Sequence, residues 1–151
     1  MRPRRGERVG RTIVFAANPL PSHMPDTAPS GPTILVAEDN ADQRSMYVAI
    51  LSGVGYRVLE ASDGAEAVDI ARRSNPGLVL MDVTMPGTSG WNAVRTLKQD
   101  PQTHMIPIIV VTGLASAWDR DASIASGCDE YLAKPVQPVK LLEEVRKFLP
   151  L

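Results

Sequence analysis

Cysteine is almost absent from this chain. Cys128 stands alone, so no intrachain disulfide can form. Histidine is nearly as scarce: His23 and His104 are the only two, and neither belongs to a Cys/His cluster with zinc-ligand spacing. No apolar run approaches the roughly 20 residues that a helix needs to cross a bilayer, which excludes a transmembrane helix. The basic start followed by TIVFAA (Thr12 to Ala17) has too short an apolar part for a secretory signal, and Asn18 and Pro19 interrupt it. Taken together, these absences place the expectation in a reducing, cytoplasmic compartment.

A strong net charge is also missing. The formal total of -1 nevertheless hides an asymmetry, because residues 1 to 23 hold Arg2, Arg4, Arg5, Arg8 and Arg11 against Glu7 alone. That segment carries about +4, leaving roughly -5 for the rest. An acidic remainder lacks the clustered Lys and Arg that duplex phosphates require, so direct DNA binding is not expected. From Pro19 to Pro32 the chain is rich in Pro, Ser, Thr and Gly, a composition that buries too little apolar surface to offset the entropy of ordering. Residues 1–32 therefore read as a disordered Arg- and Pro-rich leader, and Met24 is an alternative start. The remaining stretch, 33–149, has the length for one domain with its own core.

After Pro32 two periodicities take turns. TILVAED (Thr33 to Asp39) is a short apolar, β-branched run ending in acids, and the following residues place Met46, Tyr47, Ile50, Leu51 and Val54 at helical spacing. Gly55 closes that helix. YRVLEAS alternates as a strand; Ala67, Ile70 and Ala71 share a helix face until Asn75, Pro76 and Gly77 break it. LVLMD (Leu78 to Asp82) is a third strand, followed by a helix near Ser89 to Gln99, a strand over Ile106 to Gly113, a helix near Ser116 to Ser126, a strand over Asp129 to Lys134 and a final helix with Leu141, Leu142, Val145, Phe148 and Leu149 on one stripe. Five strand–helix pairs predict an α/β fold, a parallel sheet covered by helices on both faces. A central strand of such a sheet is dry on both sides, which accounts for the grease of Leu78 to Met81.

In doubly wound sheets functional groups gather at the carboxyl ends of the strands. This chain ends its strands in Glu38 and Asp39, Asp82, Thr112 and Lys134. Each alone could cap a helix or open a turn. Together they bring three carboxylates to one edge, where they repel one another unless a cation sits among them. A hard divalent ion with oxygen ligands fits, Mg²⁺ above all, with Mn²⁺ as an alternative. An aspartate can also act as a nucleophile and form an aspartyl-phosphate, and Lys134 and Thr112 are then placed to meet phosphoryl oxygens as a point charge and a hydroxyl donor.

LVAEDN, LVLMDVTMPGTSG, the strand-end VTG and GCDEYLAKP together resemble the receiver domain of two-component response regulators, over about Thr33 to Leu149. The resemblance implies a flavodoxin-like doubly wound (βα)5 fold with strand order 2-1-3-4-5. It implies that Asp82 is the phosphoacceptor, with Lys134 and Thr112 as its catalytic partners. It implies a Mg²⁺ site made of Asp39 and Asp82, Glu38 acting through water, and the backbone carbonyl of Thr84. Tyr131 corresponds to the aromatic switch that follows Thr112, and Lys134-Pro135 to a cis peptide. Thr84 and Leu114 flank the path of an attacking water in the family; an apolar Leu114 cannot orient water, so slow spontaneous dephosphorylation is expected. Gly113 stands where the family often has Ala, which implies a more mobile turn.

The partners implied are a sensor histidine kinase or histidine phosphotransfer protein and a downstream protein target that the sequence does not name. Phosphorylation-dependent homodimerisation is left open, and no membrane contact is implied. Only Pro150 and Leu151 follow Leu149, so a stand-alone receiver without an output domain is expected, a signalling protein rather than an enzyme acting on other substrates. Two rival readings exist. A phosphatase of the haloacid dehalogenase class also uses a strand-end aspartate, but typically needs a second acid two residues on, where this chain has Thr84. A receiver fold used purely as an interaction module would have no need of the set Asp39, Asp82, Thr112 and Lys134. Trp91 and Trp118 read as helix-face packing, Trp118 becoming a partner anchor if exposed.

Overall fold

The computed structural model describes residues 31–83, 90–113, 121 and 124–151. Five parallel strands form one sheet in the order β2-β1-β3-β4-β5. They are β1 (Thr33–Ala37), β2 (Arg57–Ala61), β3 (Leu78–Asp82), β4 (Ile108–Thr112) and β5 (Glu130–Ala133). The helices with complete bounds are α1 (Ala41–Gly53), α2 (Gly64–Ser74), α3 (Gly90–Gln99) and α4 (Pro138–Phe148). The helix expected near Ser116 to Ser126 lies largely outside the described residues, although Asp121 and residues 124–126 are helical.

Burial follows position in the sheet. Every residue of β3 and β4 is buried, whereas β2 and β5 at the edges alternate or mix exposed and covered positions. Because successive side chains on a strand point to opposite faces, the sheet divides one apolar sequence between two cores. Leu35, Val79, Met81, Ile108 and Val110 meet Ala67 and Ala71 of α2 and Ala93, Val94 and Leu97 of α3. Ile34, Val36, Leu80, Ile109 and Val111 meet Tyr47 and Leu51 of α1 and Leu141 and Val145 of α4. Trp91 packs, partly buried, against the first core.

Local chemistry sets the helix ends. Asn40 accepts from the Gln43 N–H at 2.9 Å and Asp63 from the Glu66 N–H at 2.8 Å, each the side-chain cap of a helix start. Asn75 closes α2 in the left-handed region at φ 47°. Gly55 lies just past α1 at φ 115° and donates to the Ser52 carbonyl. One expectation needs correcting: Met46, at the spacing of the α1 apolar set, is 45% exposed. Tyr47 and Leu51 are buried in the core, and Ile50 and Val54 pack partly buried against it, so the apolar face that reaches the sheet passes Met46 by.

Candidate functional site

Strand register assembles the site. Ala37 lies beside Met81, so Glu38 comes level with Asp82; Asp82 lies beside Val111 and Thr112 beside Ala133. Glu38, Asp82, Thr112 and Lys134 thereby share the carboxyl edge of four adjacent strands, across the crevice where β1 and β3 lead their chains to opposite faces. Glu38 and Asp82 are 1% and 2% exposed and Thr112 is fully buried, while Asp39 points to solvent. One oxygen from each of Glu38, Asp39 and Asp82 lies within 4.8 Å of the others.

A cation already stands among these acids. Lys134 Nζ donates to Asp82 Oδ2 at 3.0 Å and to Glu38 Oε1 at 3.3 Å. Its backbone N–H donates to the Thr112 carbonyl at 2.8 Å, and the Lys134–Pro135 bond is cis. One ammonium does not neutralise the group. Burial pushes the Glu38 carboxyl up to about 7, aided by a hydrogen bond with Asp82 and by the Asp82 charge, and opposed by the Asn40 N–H and by Lys134. Burial alone would lower Lys134; its hydrogen bond to Asp82 and the charges of Asp82 and Glu38 outweigh this, so its pKa is raised. The donor set is all carboxylate oxygen, two of the three acids are dehydrated, and their charge exceeds that of the lysine. Such a set suits a hard divalent cation.

The walls of the site are fixed from outside. Arg44 donates from Nη1 to the Glu38 carbonyl at 2.8 Å and from Nε to Glu60 at 3.1 Å, tying the turn after β1 to the end of β2. At Gly90 an added Cβ would fall 2.4 Å from Val83 Cα and 2.7 Å from the Asp82 carbonyl, so the start of α3 presses directly on the backbone of the phosphoacceptor candidate. Gly113 has no such constraint: open space surrounds its Cβ position. Tyr131 is half-buried on β5 and lines a shallow surface hollow with Ile124, Cys128, Asp129 and Glu130. Thr84, Leu114 and Trp118 lie outside the described residues.

Sequence reasoning found the strand-end groups but missed Gln43 and Arg44, which touch Lys134 and Glu38 from the first turn of α1. Polar residues there look like any solvated helix face; only the position, four and five residues past Asp39, could have drawn notice. Among the described residues no helix is long and apolar enough to cross a membrane.

Similarity to known proteins agrees with the geometry. The chain is 31% identical over 117 residues to the polar-differentiation response regulator DivK of Brucella ovis, a match covering 78% of this chain and 95% of that protein. The chemotaxis protein CheY4 of Vibrio cholerae superposes with a TM-score of 0.75 at 28% identity, over 80% of this chain and all (100%) of the other. The receiver domain of a sensor histidine kinase from Pseudomonas aeruginosa PAO1, solved with a magnesium ion coordinated in its active site cleft, gives a TM-score of 0.74 at 33% identity over 79% and 98%. The profile of the response regulator receiver domain matches residues 34–146, and with the five-stranded 2-1-3-4-5 sheet and its acidic edge, this chain belongs to the response regulator receiver family.

Proposed function

We propose that this receiver accepts a phosphoryl group on Asp82 from a histidine kinase or histidine phosphotransfer protein and uses it to switch a protein-binding surface or to relay it onward. The observation that carries this reading is the buried Asp82 carboxylate with the Lys134 ammonium 3.0 Å away, at the edge of an acid cluster 4.8 Å across. An Asp82 oxygen forms the new O–P bond as the donor's P–N bond breaks, and the electron pair of that bond leaves with the imidazole. Lys134 stays at the edge to pair with a phosphoryl oxygen, and the Thr112 hydroxyl, at the end of the next strand, donates to another. Glu38, Asp39 and Asp82, with the Thr84 carbonyl, are the residues that would hold Mg²⁺. The ion would supply positive charge to the transferring oxygens.

The phosphoryl group adds about -1.5 to -2 of charge at pH 7. Drawing Thr112 and Lys134 toward it biases Tyr131 and the surface of β5 and α4 between two arrangements. The partner on that surface is a protein, and the setting is the cytoplasm.

Incubating the protein with a small acyl phosphate and Mg²⁺ tests this. The expected product is one added phosphoryl mass on the Asp82 peptide, absent from Asp82→Asn and in EDTA. Continuous release of free phosphate without an adduct would favour a phosphatase, and no reaction an interaction module. An apolar Leu114 cannot orient an attacking water, which gives the adduct a long life; decay of radiolabelled protein over minutes or longer is expected, and loss within seconds would overturn that part.

A further inference from the structure

Lys134 has a third partner. Its Nζ donates to Gln43 Oε1 at 2.8 Å, a shorter contact than those to Asp82 at 3.0 Å or Glu38 at 3.3 Å. An ammonium has three N–H donors, and these three oxygens match that number. Two of the acceptors are carboxylates whose surroundings change when Asp82 becomes an acyl phosphate or when a cation joins the cluster. The third is a neutral amide oxygen outside that cluster, which takes no part in the reaction.

Gln43 is anchored for such a task. It sits in the first turn of α1, where the Asn40 side chain holds its N–H at 2.9 Å. Asn40 in turn donates its own N–H to Glu38 Oε2 at 3.1 Å. The backbone that carries Gln43 is thus tied to the same acidic turn it serves. Beyond the amide, a hollow of about 410 Å³ is walled by Met46, Tyr47, Pro135 and Val136. Water would be the replacement acceptor there, without a fixed position. A lysine on a flexible four-carbon stem loses its aim when an anchored acceptor is exchanged for a mobile one.

We propose that Gln43 is a positioning residue for phosphoryl transfer: its amide oxygen holds the Lys134 ammonium at the site edge while one of the ammonium's other two partners changes from the Asp82 carboxylate to a phosphoryl oxygen. The inference rests on the reading of Asp82 as phosphoacceptor and deepens it by naming a residue outside the strand ends.

The test compares wild type with Gln43→Leu, which keeps helix preference and most of the side-chain bulk but removes the acceptor, and Gln43→Glu, which restores an oxygen. Three quantities are measured: the rate of Asp82 phosphorylation at saturating acetyl phosphate and Mg²⁺, the Mg²⁺ affinity by calorimetry without phosphodonor, and the ¹H–¹⁵N resonance of the Lys134 ammonium in metal-free protein. Gln43→Leu is expected to slow the saturated rate about 5- to 10-fold, the effect of one lost charge-assisted hydrogen bond, with Mg²⁺ affinity changed less than about twofold. The Lys134 ammonium resonance should broaden through faster exchange with water, and Gln43→Glu should recover the rate to within about twofold of wild type. An unchanged rate in Gln43→Leu, or a slow rate that Gln43→Glu fails to recover, overturns the proposal. Should Gln43→Leu not fold, Gln43→Met carries the same comparison. If wild type itself acquires no phosphoryl group on Asp82, the receiver reading fails and this inference with it; labelling of wild type together with full-rate Gln43→Leu removes only the role of Gln43.

Discussion

Two buried clusters of charge in this domain have opposite balances. At the sheet edge, among the described residues, Glu38 and Asp82 share the ammonium of Lys134, with Asp39 close by. On α4, Glu144 is 2% exposed, and Lys140 at 3.0 Å and Lys147 at 2.9 Å both bind its carboxylate. The consequences run in opposite directions. Glu38 is pushed up to about 7, chiefly by burial, while hydrogen bonds from Lys147 and then Lys140 hold Glu144 down to about 2 against its burial. A buried acid with two cations is settled, and because both lysines lie on α4 itself the two ion pairs stabilise that helix. Buried acids that, among the described residues, share one ammonium leave room for another positive charge, the kind a hard divalent cation supplies.

The contrast can be broken most directly at Lys134. In Lys134→Met the edge acids lose their ammonium, and without divalent cation the protein should lose about 2–3 kcal/mol of stability near neutral pH, because uncompensated charge stays buried. Urea unfolding in EDTA measures this, and added Mg²⁺ should return much of the loss. An unchanged midpoint in EDTA would mean that the edge is not short of cation.

A smaller effect is expected from Glu144→Gln, about 1–2 kcal/mol, since two ion pairs are lost but both lysines reach solvent. Its pH dependence follows from the direction of the shift. A carboxyl held below its unfolded value of 4.5 contributes stability that is fully present above that value and is lost as pH falls toward about 2. The gap in unfolding midpoint between wild type and Glu144→Gln should therefore be largest above about pH 5 and close on acidification. A gap that widens in acid would reverse the assignment.

The smallest effect belongs to Lys147→Met. Lys140 remains to pair with Glu144, and Lys147 is 61% exposed, so the loss should stay below about 1 kcal/mol. If it equalled the loss in Lys134→Met, the two clusters would not differ in the way described.

The two clusters also differ in how far they could be read without coordinates. Leu78 to Met81 announce a strand dry on both faces, and Glu38, Asp39, Asp82, Thr112 and Lys134 stand where such strands end. A parallel sheet brings all its carboxyl ends to one side, so a linear pattern was enough to gather them. Glu144 gives no such sign: within PVKLLEEVRKFL it looks like its solvated neighbour Glu143. One position around the helix separates the two, for Glu143 is exposed while Glu144 is covered. Met46 shows the converse, an apolar residue at the right spacing that is left 45% exposed.

By itself the sequence determined the alternation of strands and helices, the two-faced burial of the central strands and the identity of the strand-end groups, because all three follow from local periodicity and from the polarity of a parallel sheet. Tertiary structure alone decided which neutral group reaches Lys134, how closely α3 may press on Asp82 at Gly90, and which acid is left short of cation. Those outcomes depend on distances of a few ångströms between segments far apart in the chain, here Gln43 and Lys134, 91 residues apart, and the strength of hydrogen bonds and the cost of buried charge change steeply over such distances.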